Sequence, residues 1–332
     1  MDKLKFAIPK GSLEKATAEF FSRSGFKIGG TERTYRPSIN DPQIEMKVLR
    51  PQEIPVFVSE GLQDLGITGE DWVKENRADV EILQNLEYGK IKLVIAVPKT
   101  CGNQTMGEFM ESIWSQGKNF RISTEYLNIA AEYLKNTPQY KERFGNAEPM
   151  LVTPWWRKGD NPRAKIFLSF GATEAKPPED SDAIMDVTET GTTIEANNLK
   201  IIDTVLKSSA ILIANKKALE DPEKREKIYD IVALLKGVVD GSKRIHIFVN
   251  VKKINLQKLL TELPALKNPT IAPLADDTWV SVNTVIEKDC LIELLPKIRK
   301  LAQGLVVYEP RQVLALDEIG KREEKTCKPK SK

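Results

Sequence analysis

Over its first two-thirds the chain alternates short apolar runs with stretches of helical period, the order expected of an α/β protein. LKFAIP reads as a strand. GSLEKATAEFFSRSGF follows as a helix, with Ser12 as its cap, Leu13, Thr17, Phe20 and Ser24 on one stripe, and Gly25 as its stop. PQEIPVFVSEG predicts a second helix, DLGIT a strand, EDWVKEN another helix, and IKLVIAVP a buried strand whose Pro98 marks a boundary. NFRIST, AKIFLSF and DAIMDV read as further strands, with EYLNIAAEYLKN a helix between the first two; SSAILIAN reads as a strand returning to the first lobe. DPEKREKIYDIVALLKGVV is a long helix with Asp221 at its N-cap and Pro222 at its first position.

The remaining third changes rhythm. RIHIFVNV, NLQKLLTEL, PTIAPL, WVSVNTVIE, CLIELLPKIRKLA and GLVVYEP follow in the order strand, helix, strand, strand, helix, strand, which is the ferredoxin-like βαββαβ pattern. The expected organisation is a first lobe of residues 1–97 plus 200–239, a second lobe of 98–199 and a small domain of 240–316. A charged tail over 317–332 reads as disordered.

Composition narrows the chemistry. The 332 residues are 41% hydrophobic and 29% charged, a globular balance, and a net charge of +3 calls for neither nucleic acid nor an anionic membrane as partner. Cys101, Cys290 and Cys327 are odd in number and far apart, which argues against a disulfide framework. With no apolar run long enough for a signal peptide or membrane span, a cytoplasmic protein is expected. The single histidine, His246, sits in RIHIFVNV, where Ile245, Ile247, Val249 and Val251 take the apolar face, so it reads as a strand residue rather than a catalytic base. Histidine-rich zinc sites are excluded by that count.

Three segments carry candidate chemistry. In DVTETGTTIEANNL a strand runs into Thr190, Gly191, Thr192 and Thr193 and then into a helix. Backbone N–H groups, the helix dipole and hydroxyls there form an anion cradle, and Gly191 permits a close backbone approach. Asp186 and Glu189 just before it are wrongly charged for a phosphate but suited to sugar hydroxyls or Mg²⁺, so ribose 5-phosphate fits the pattern; a plain capped turn would use the same residues. EGLQDLGITGEDW places Asp64, Thr68, Gly69 and Asp71 around the end of a strand, where open α/β sheets bind ligands, although Asp71 also reads as an N-cap. In PKGSL, Lys10 precedes a glycine turn, with Arg50 as a further cation for the same edge; the spacing is not that of a Walker A loop.

Together KFAIPKGSL, LRPQEIPVFVSEGLQDLGITGEDW, STEY, GATEAKPPEDSDAIMDVTETGTTIEANNL, SSAILIANK and LPALKNPTIAPLADDTWVSV closely resemble the ATP phosphoribosyltransferase family in its long form. The resemblance implies two periplasmic-binding-protein-like α/β lobes joined by crossing strands, plus a C-terminal ferredoxin-like βαββαβ domain. It also implies transfer of a phosphoribosyl group from phosphoribosyl pyrophosphate to N1 of ATP with Mg²⁺. On it, Glu189, Thr190, Gly191, Thr192 and Thr193 match the loop for the 5-phosphate, and Asp186 the place of the ribose. Asp64, Thr68, Gly69 and Asp71 match the nucleotide-side motif, Lys10 and Gly11 the N-terminal turn, and Glu174 a cleft-facing segment. Lys10, Arg50 and Glu174 are the expected catalytic groups, with no metal ligand assigned. Asn250, Thr270 and Val285 match a histidine-inhibitor pocket, and a homo-oligomer, dimer and hexamer, is implied. Many relatives carry arginine at the Ser12 position, so Arg50 or Arg33 is expected to substitute. A two-lobed solute-binding protein and a silent regulatory paralogue are the rival readings; the missing export signal disfavours the first and the intact Asp186–Thr193 loop the second.

Overall fold

The computed structural model describes residues 2–30, 34–264 and 269–315; Arg33 and the charged tail 317–332 lie outside the described residues. In chain order, β1 (Leu4–Pro9) and α1 (Glu14–Ser24) precede a small ribbon of β2 (Ile28–Gly29) and β3 (Ser38–Ile39). Next come β4 (Ile44–Leu49), α2 (Ile54–Ser59), β5 (Leu65–Gly69), α3 (Glu70–Asn76), β6 (Glu81–Asn85) and β7 (Ile91–Pro98). The middle of the chain holds α4 (Met106–Ser115), β8 (Phe120–Thr124), α5 (Leu127–Asn136), α6 (Pro138–Phe144), β9 (Pro149–Val152), β10 (Arg157–Lys158) and β11 (Asn161–Leu168). After a 3₁₀ turn at Thr173–Ala175 come β12 (Ala183–Thr188), α7 (Thr192–Ala196), β13 (Leu199–Ser208), β14 (Ala210–Ala214) and α8 (Lys216–Glu220). Last are α9 (Pro222–Lys243), β15 (Arg244–Lys252), α10 (Leu256–Glu262), β16 (Thr270–Pro273), β17 (Trp279–Glu287), α11 (Cys290–Leu301) and β18 (Ala302–Tyr308).

The chain divides into two compact units. One, Lys3–Ala16 with Ile44–Ala218, contains two sheets. The first has the order β4-β1-β5-β14-β6, with β1 parallel to β4 and β5 and with β14 antiparallel to its neighbours. Its central strands β5 and β14 are buried at every residue, which is why β14 reads as an unbroken apolar run rather than an alternating one. Ala7, Ile54, Val58, Ile211 and Ile213 form the core between this sheet and α2.

The second sheet has the order β10-β9-β11-β8-β12-β7-β13. Strands β9, β11, β8 and β12 run parallel, and β7 and β13 complete it in antiparallel fashion. Its core is built on Trp114, Phe120, Tyr140 and Leu134, and Trp114 donates its indole N–H to the Arg163 carbonyl at 2.9 Å. α4 starts at a capping box, Thr105 with Glu108. β7 and β13, near the boundaries expected at 97 and 200, both pair in the second sheet.

The other unit comprises Thr17–Gln43 and the described residues from Leu219. α9 is capped as its sequence predicts: Asp221 accepts from the N–H groups of Glu223 and Lys224 at 3.0 and 3.2 Å, with Pro222 at the first position. The sheet that follows, β16-β17-β15-β18, is antiparallel throughout, the ferredoxin-like order. Ile245, Ile247, Val249 and Val251 point to the core with Leu259, Leu294 and Ile298 of α10 and α11. No helix among the described residues is long and apolar enough to cross a membrane.

Candidate active site

The candidate site is a cleft within the two-sheet unit. β1 ends at Pro9, and Lys10 donates its N–H to the Leu49 carbonyl at 2.8 Å, tying the turn after β1 to the end of β4. Gly11 then turns with φ +89, and the Arg50 guanidinium stands 3.7 Å from where its Cβ would lie. Lys10, Gly11, Arg50, Gly69 and Asp71 therefore line one cavity. Glu125, Tyr126 and Val187 of the second sheet's strand ends line it too. Ligands of open α/β sheets bind at such carboxyl ends.

Asp71 is a clasp. Its carboxylate, only 4% exposed, accepts from Ser208 Oγ at 2.5 Å and from Tyr126 Oη at 2.7 Å. It thereby joins α3 to the start of α5 and the end of β13. Trp72 stacks on Tyr126 with ring centroids 4.4 Å apart, and Glu75, one turn on, takes the N–H groups of Asn128 and Ile129 at 2.9 and 3.0 Å. Burial pushes Glu75 above the usual carboxylate range, opposed by those N–H groups. Burial and the Asp71 charge hold the Tyr126 phenol far above its ordinary value, so it stays a neutral donor. The Asp71 carboxylate folds back so closely that a Cβ on Gly69 would lie 2.2 Å from its Oδ1, which is why a glycine precedes this helix.

Asp64 and Thr68 are elsewhere. Asp64 lies at the opposite end of β5, roughly 16 Å from Gly69 at strand rise, and accepts from the Lys5 N–H at 2.8 Å. Thr68 is fully buried and donates to the Pro51 carbonyl at 2.7 Å. Both brace backbone, and neither lines the cleft.

On the second sheet, burial pushes the Asp186 carboxyl up to about 6. The Val187 N–H and the Thr173 hydroxyl oppose the shift, and the charges of Glu174 and Glu125 add to it. In the loop that follows, Gly191 takes φ +88, and its N–H is satisfied by Thr188 Oγ1 at 2.8 Å. Thr190 and Thr192 hydroxyls lie 2.9 Å apart, and Glu189, Thr190, Thr192 and Thr193 are exposed. Because Thr188 takes the turn's capping role, the other hydroxyls are left facing outward. No three His, Cys, Asp or Glu side chains among the described residues converge as metal ligands.

In the ferredoxin-like sheet, ladder partners share a face. His246 pairs with Val285 and Tyr308, Phe248 with Asn283 and Val306, and Asn250 with Ser281, while Thr270 pairs with Asn283. The three expected residues Asn250, Thr270 and Val285 therefore lie on one face, away from the helices. Among the described residues, the strand positions of that face between Arg244 and Lys252 carry no Asp, Glu, Lys or Arg.

Sequence reasoning missed Tyr126, Trp72, Glu125, Thr173 and Ser208. The motif STEY contains two of them, but nothing local marks Tyr126 as the partner of a carboxylate 55 residues away.

A cleft at strand ends, with Lys10 and Arg50 on one wall and Glu125 on the other, has the chemistry that suits a phosphorylated sugar or nucleotide. Residues 50–237 match the family model described as ATP phosphoribosyltransferase, and residues 242–311 match the HisG C-terminal domain. ATP phosphoribosyltransferase of Solibacter usitatus is 39% identical over 94% of this chain and 99% of its own length; that of Chlorobaculum parvum is 37% identical over 94% and 97%. The solved HisG:HisZ ATP phosphoribosyl transferase complex from Thermotoga maritima is similar at a TM-score of 0.54 and 25% identity, covering 71% of this chain and 98% of that one. The chain belongs to the ATP phosphoribosyltransferase family.

Proposed function

We propose that the chain transfers the 5-phosphoribosyl group of phosphoribosyl pyrophosphate to N1 of ATP, the first step of histidine biosynthesis. The observation that carries this is the sequence Asp186 to Thr193 as folded: a half-buried carboxylate next to a glycine turn with outward-facing hydroxyls. Asp186 accepts from the ribose diol, and the hydroxyls of Thr190, Thr192 and Thr193 with the Thr193 N–H hold the 5-phosphate. The C1–N1 bond forms as the C1–O bond to pyrophosphate breaks through an oxocarbenium-like state. Lys10 and Arg50 stabilise charge on the departing pyrophosphate, and magnesium carried by the substrates adds to that stabilisation. Orientation of the adenine by the cleft supplies much of the remaining rate, and no protein nucleophile takes part.

Thr68 and Asp64 act as backbone braces in this account, and Asp71 holds the two sheets in register. Histidine binding as an inhibitor belongs to the uncharged sheet face carrying Asn250, Thr270 and Val285, where a second copy of the chain packs to give a homo-oligomer, dimer or hexamer. The direct test mixes ATP, phosphoribosyl pyrophosphate and Mg²⁺ with the protein. N1-ribosylated nucleotide and pyrophosphate in equal amounts are expected; a folded protein that forms neither would refute the assignment.

A further inference from the structure

Gln52 lines the same cavity as Lys10, Arg50 and Trp72, and its side-chain amide has no hydrogen-bond partner among the described residues. It is the third residue of the turn Arg50-Pro51-Gln52-Glu53. The Glu53 N–H closes that turn on the Arg50 carbonyl at 3.0 Å, and Pro51 takes the second position, which its fixed φ suits. Side chains hold the turn in place. The Thr68 hydroxyl donates to the Pro51 carbonyl at 2.7 Å, and Asn76 Nδ2 donates to the Gln52 carbonyl at 2.8 Å and to the Trp72 carbonyl at 2.9 Å. One amide of α3 thus fixes Gln52 and Trp72 relative to each other through their backbones, while Gln52 itself is exposed at the cleft.

The other polar side chains of the cleft are committed or one-sided. Tyr126 donates to Asp71, Lys10 and Arg50 can only donate, and Glu125 when ionised can only accept. Among the side chains lining the cleft, Gln52 alone sets a donor and an acceptor side by side in one plane. That pairing has a counterpart in the acceptor nucleotide. A base whose N1 is the nucleophile cannot be read through N1, because that lone pair becomes the bond to C1 as the electron pair of the C1–O bond leaves with pyrophosphate. The neighbouring edge of adenine is N6–H and N7, a donor beside an acceptor, and a carboxamide meets it with two hydrogen bonds.

We propose that Gln52 is a specificity-determining residue for the acceptor: its Oε1 accepts from N6–H and its Nε2 donates to N7 of ATP's adenine, leaving N1 open towards C1 of the donor. Pro51 and Trp72 supply the apolar wall beside the base. The inference rests on the assignment of ATP as the acceptor. As N1 forms its bond, positive charge spreads onto the N6 amino group and the hydrogen bond to Oε1 strengthens with it. The contact therefore favours the transition state as well as binding.

The test compares ATP with 7-deaza-ATP, in which C–H replaces N7 while N1 and N6 are kept, as acceptors for the full-length protein with phosphoribosyl pyrophosphate and Mg²⁺. The unaltered protein is expected to use 7-deaza-ATP with a kcat/KM roughly 2- to 12-fold below that for ATP, the loss of one neutral hydrogen bond. Gln52→Leu should lower kcat/KM for ATP roughly 5- to 150-fold and bring the two acceptors level. Gln52→Glu keeps the acceptor for N6–H but sets a second oxygen against N7, so it should reverse the preference in favour of 7-deaza-ATP. These ratios report on the edge of the base; a variant whose fold is merely loosened keeps the ratio of the unaltered protein. Equal use of both acceptors by the unaltered protein, which needs no variant to fold, or a preference for ATP that survives Gln52→Leu, would overturn the proposal. A protein that turns over ATP but ignores N7 loses only the role of Gln52. One that forms no product with ATP loses the acceptor assignment on which that role stands.

Discussion

Asp186 and Thr190 show how far single side chains carry the account. Asp186 must be ionised to accept from a diol, and its folded-state value near 6 is raised above the ordinary carboxylate range by burial. Phosphoribosyl pyrophosphate affinity is therefore expected to fall as pH drops through about 6, and Asp186→Asn to flatten that limb; calorimetric titrations across pH check it. For stability the sign is opposite. A raised carboxylate value means the folded state binds the proton more tightly, so the group's contribution is present at low pH and is lost as pH rises through 6. Thr190→Val removes a hydroxyl from the cradle and should weaken the donor by roughly 10- to 100-fold, the worth of one charge-assisted hydrogen bond. Unchanged donor affinity in a fluorescence or calorimetric titration would take Thr190 out of the site. The glycine turn with its exposed threonines was legible in sequence because its residues are neighbours in the chain. The inward direction of Thr68 was not, because β5 is buried on both faces and local pattern does not say which way a side chain points.

The clasp between α3 and α5 sets what can be expected of whole elements. Tyr126→Phe leaves the buried Asp71 carboxylate with Ser208 as its one remaining hydroxyl donor and should cost about 1–3 kcal/mol. Gly69→Ala puts a methyl against Asp71 Oδ1, the oxygen that Ser208 holds in place, for a similar loss of about 1–3 kcal/mol. Urea unfolding measures both, and a variant as stable as the parent would show the clasp to be slack. Helices and strands themselves were mostly readable. Asp221 with Pro222 began α9 where the sequence placed it, and the βαββαβ order of the last domain follows from its apolar spacing. The clasp was unreadable because it depends on residues brought together by pairing of the second sheet.

For the molecule, the question is which surfaces bind another chain. The open face of the ferredoxin-like sheet sets His246, Phe248, Val306 and Tyr308 beside Asn250 and Val285, with Phe248 and Tyr308 rings 5.8 Å apart. Phe248→Asp is expected to lower the assembly size in light scattering and to blunt histidine inhibition, while turnover per folded chain is retained. A variant of unchanged mass and histidine response would free that face of the role. The division into lobes was legible only in outline. Pro98 signalled a boundary, but strand pairing across the chain assigned β7 and β13 to the second sheet, and no local pattern encodes such a partner.

Lys10 and Arg50 line the cleft on one side, and the threonine loop follows Val187 on the other; which of the two holds the sugar's terminal phosphate is the central question. A crystal structure with phosphoribosyl pyrophosphate bound decides this most directly. The 5-phosphate is expected within hydrogen-bond distance of the hydroxyls of Thr190, Thr192 and Thr193 and of the Thr193 N–H, with the ribose diol on Asp186 and the pyrophosphate toward Lys10 and Arg50. A 5-phosphate seated on Lys10 and Arg50, with the threonine loop empty, would contradict it.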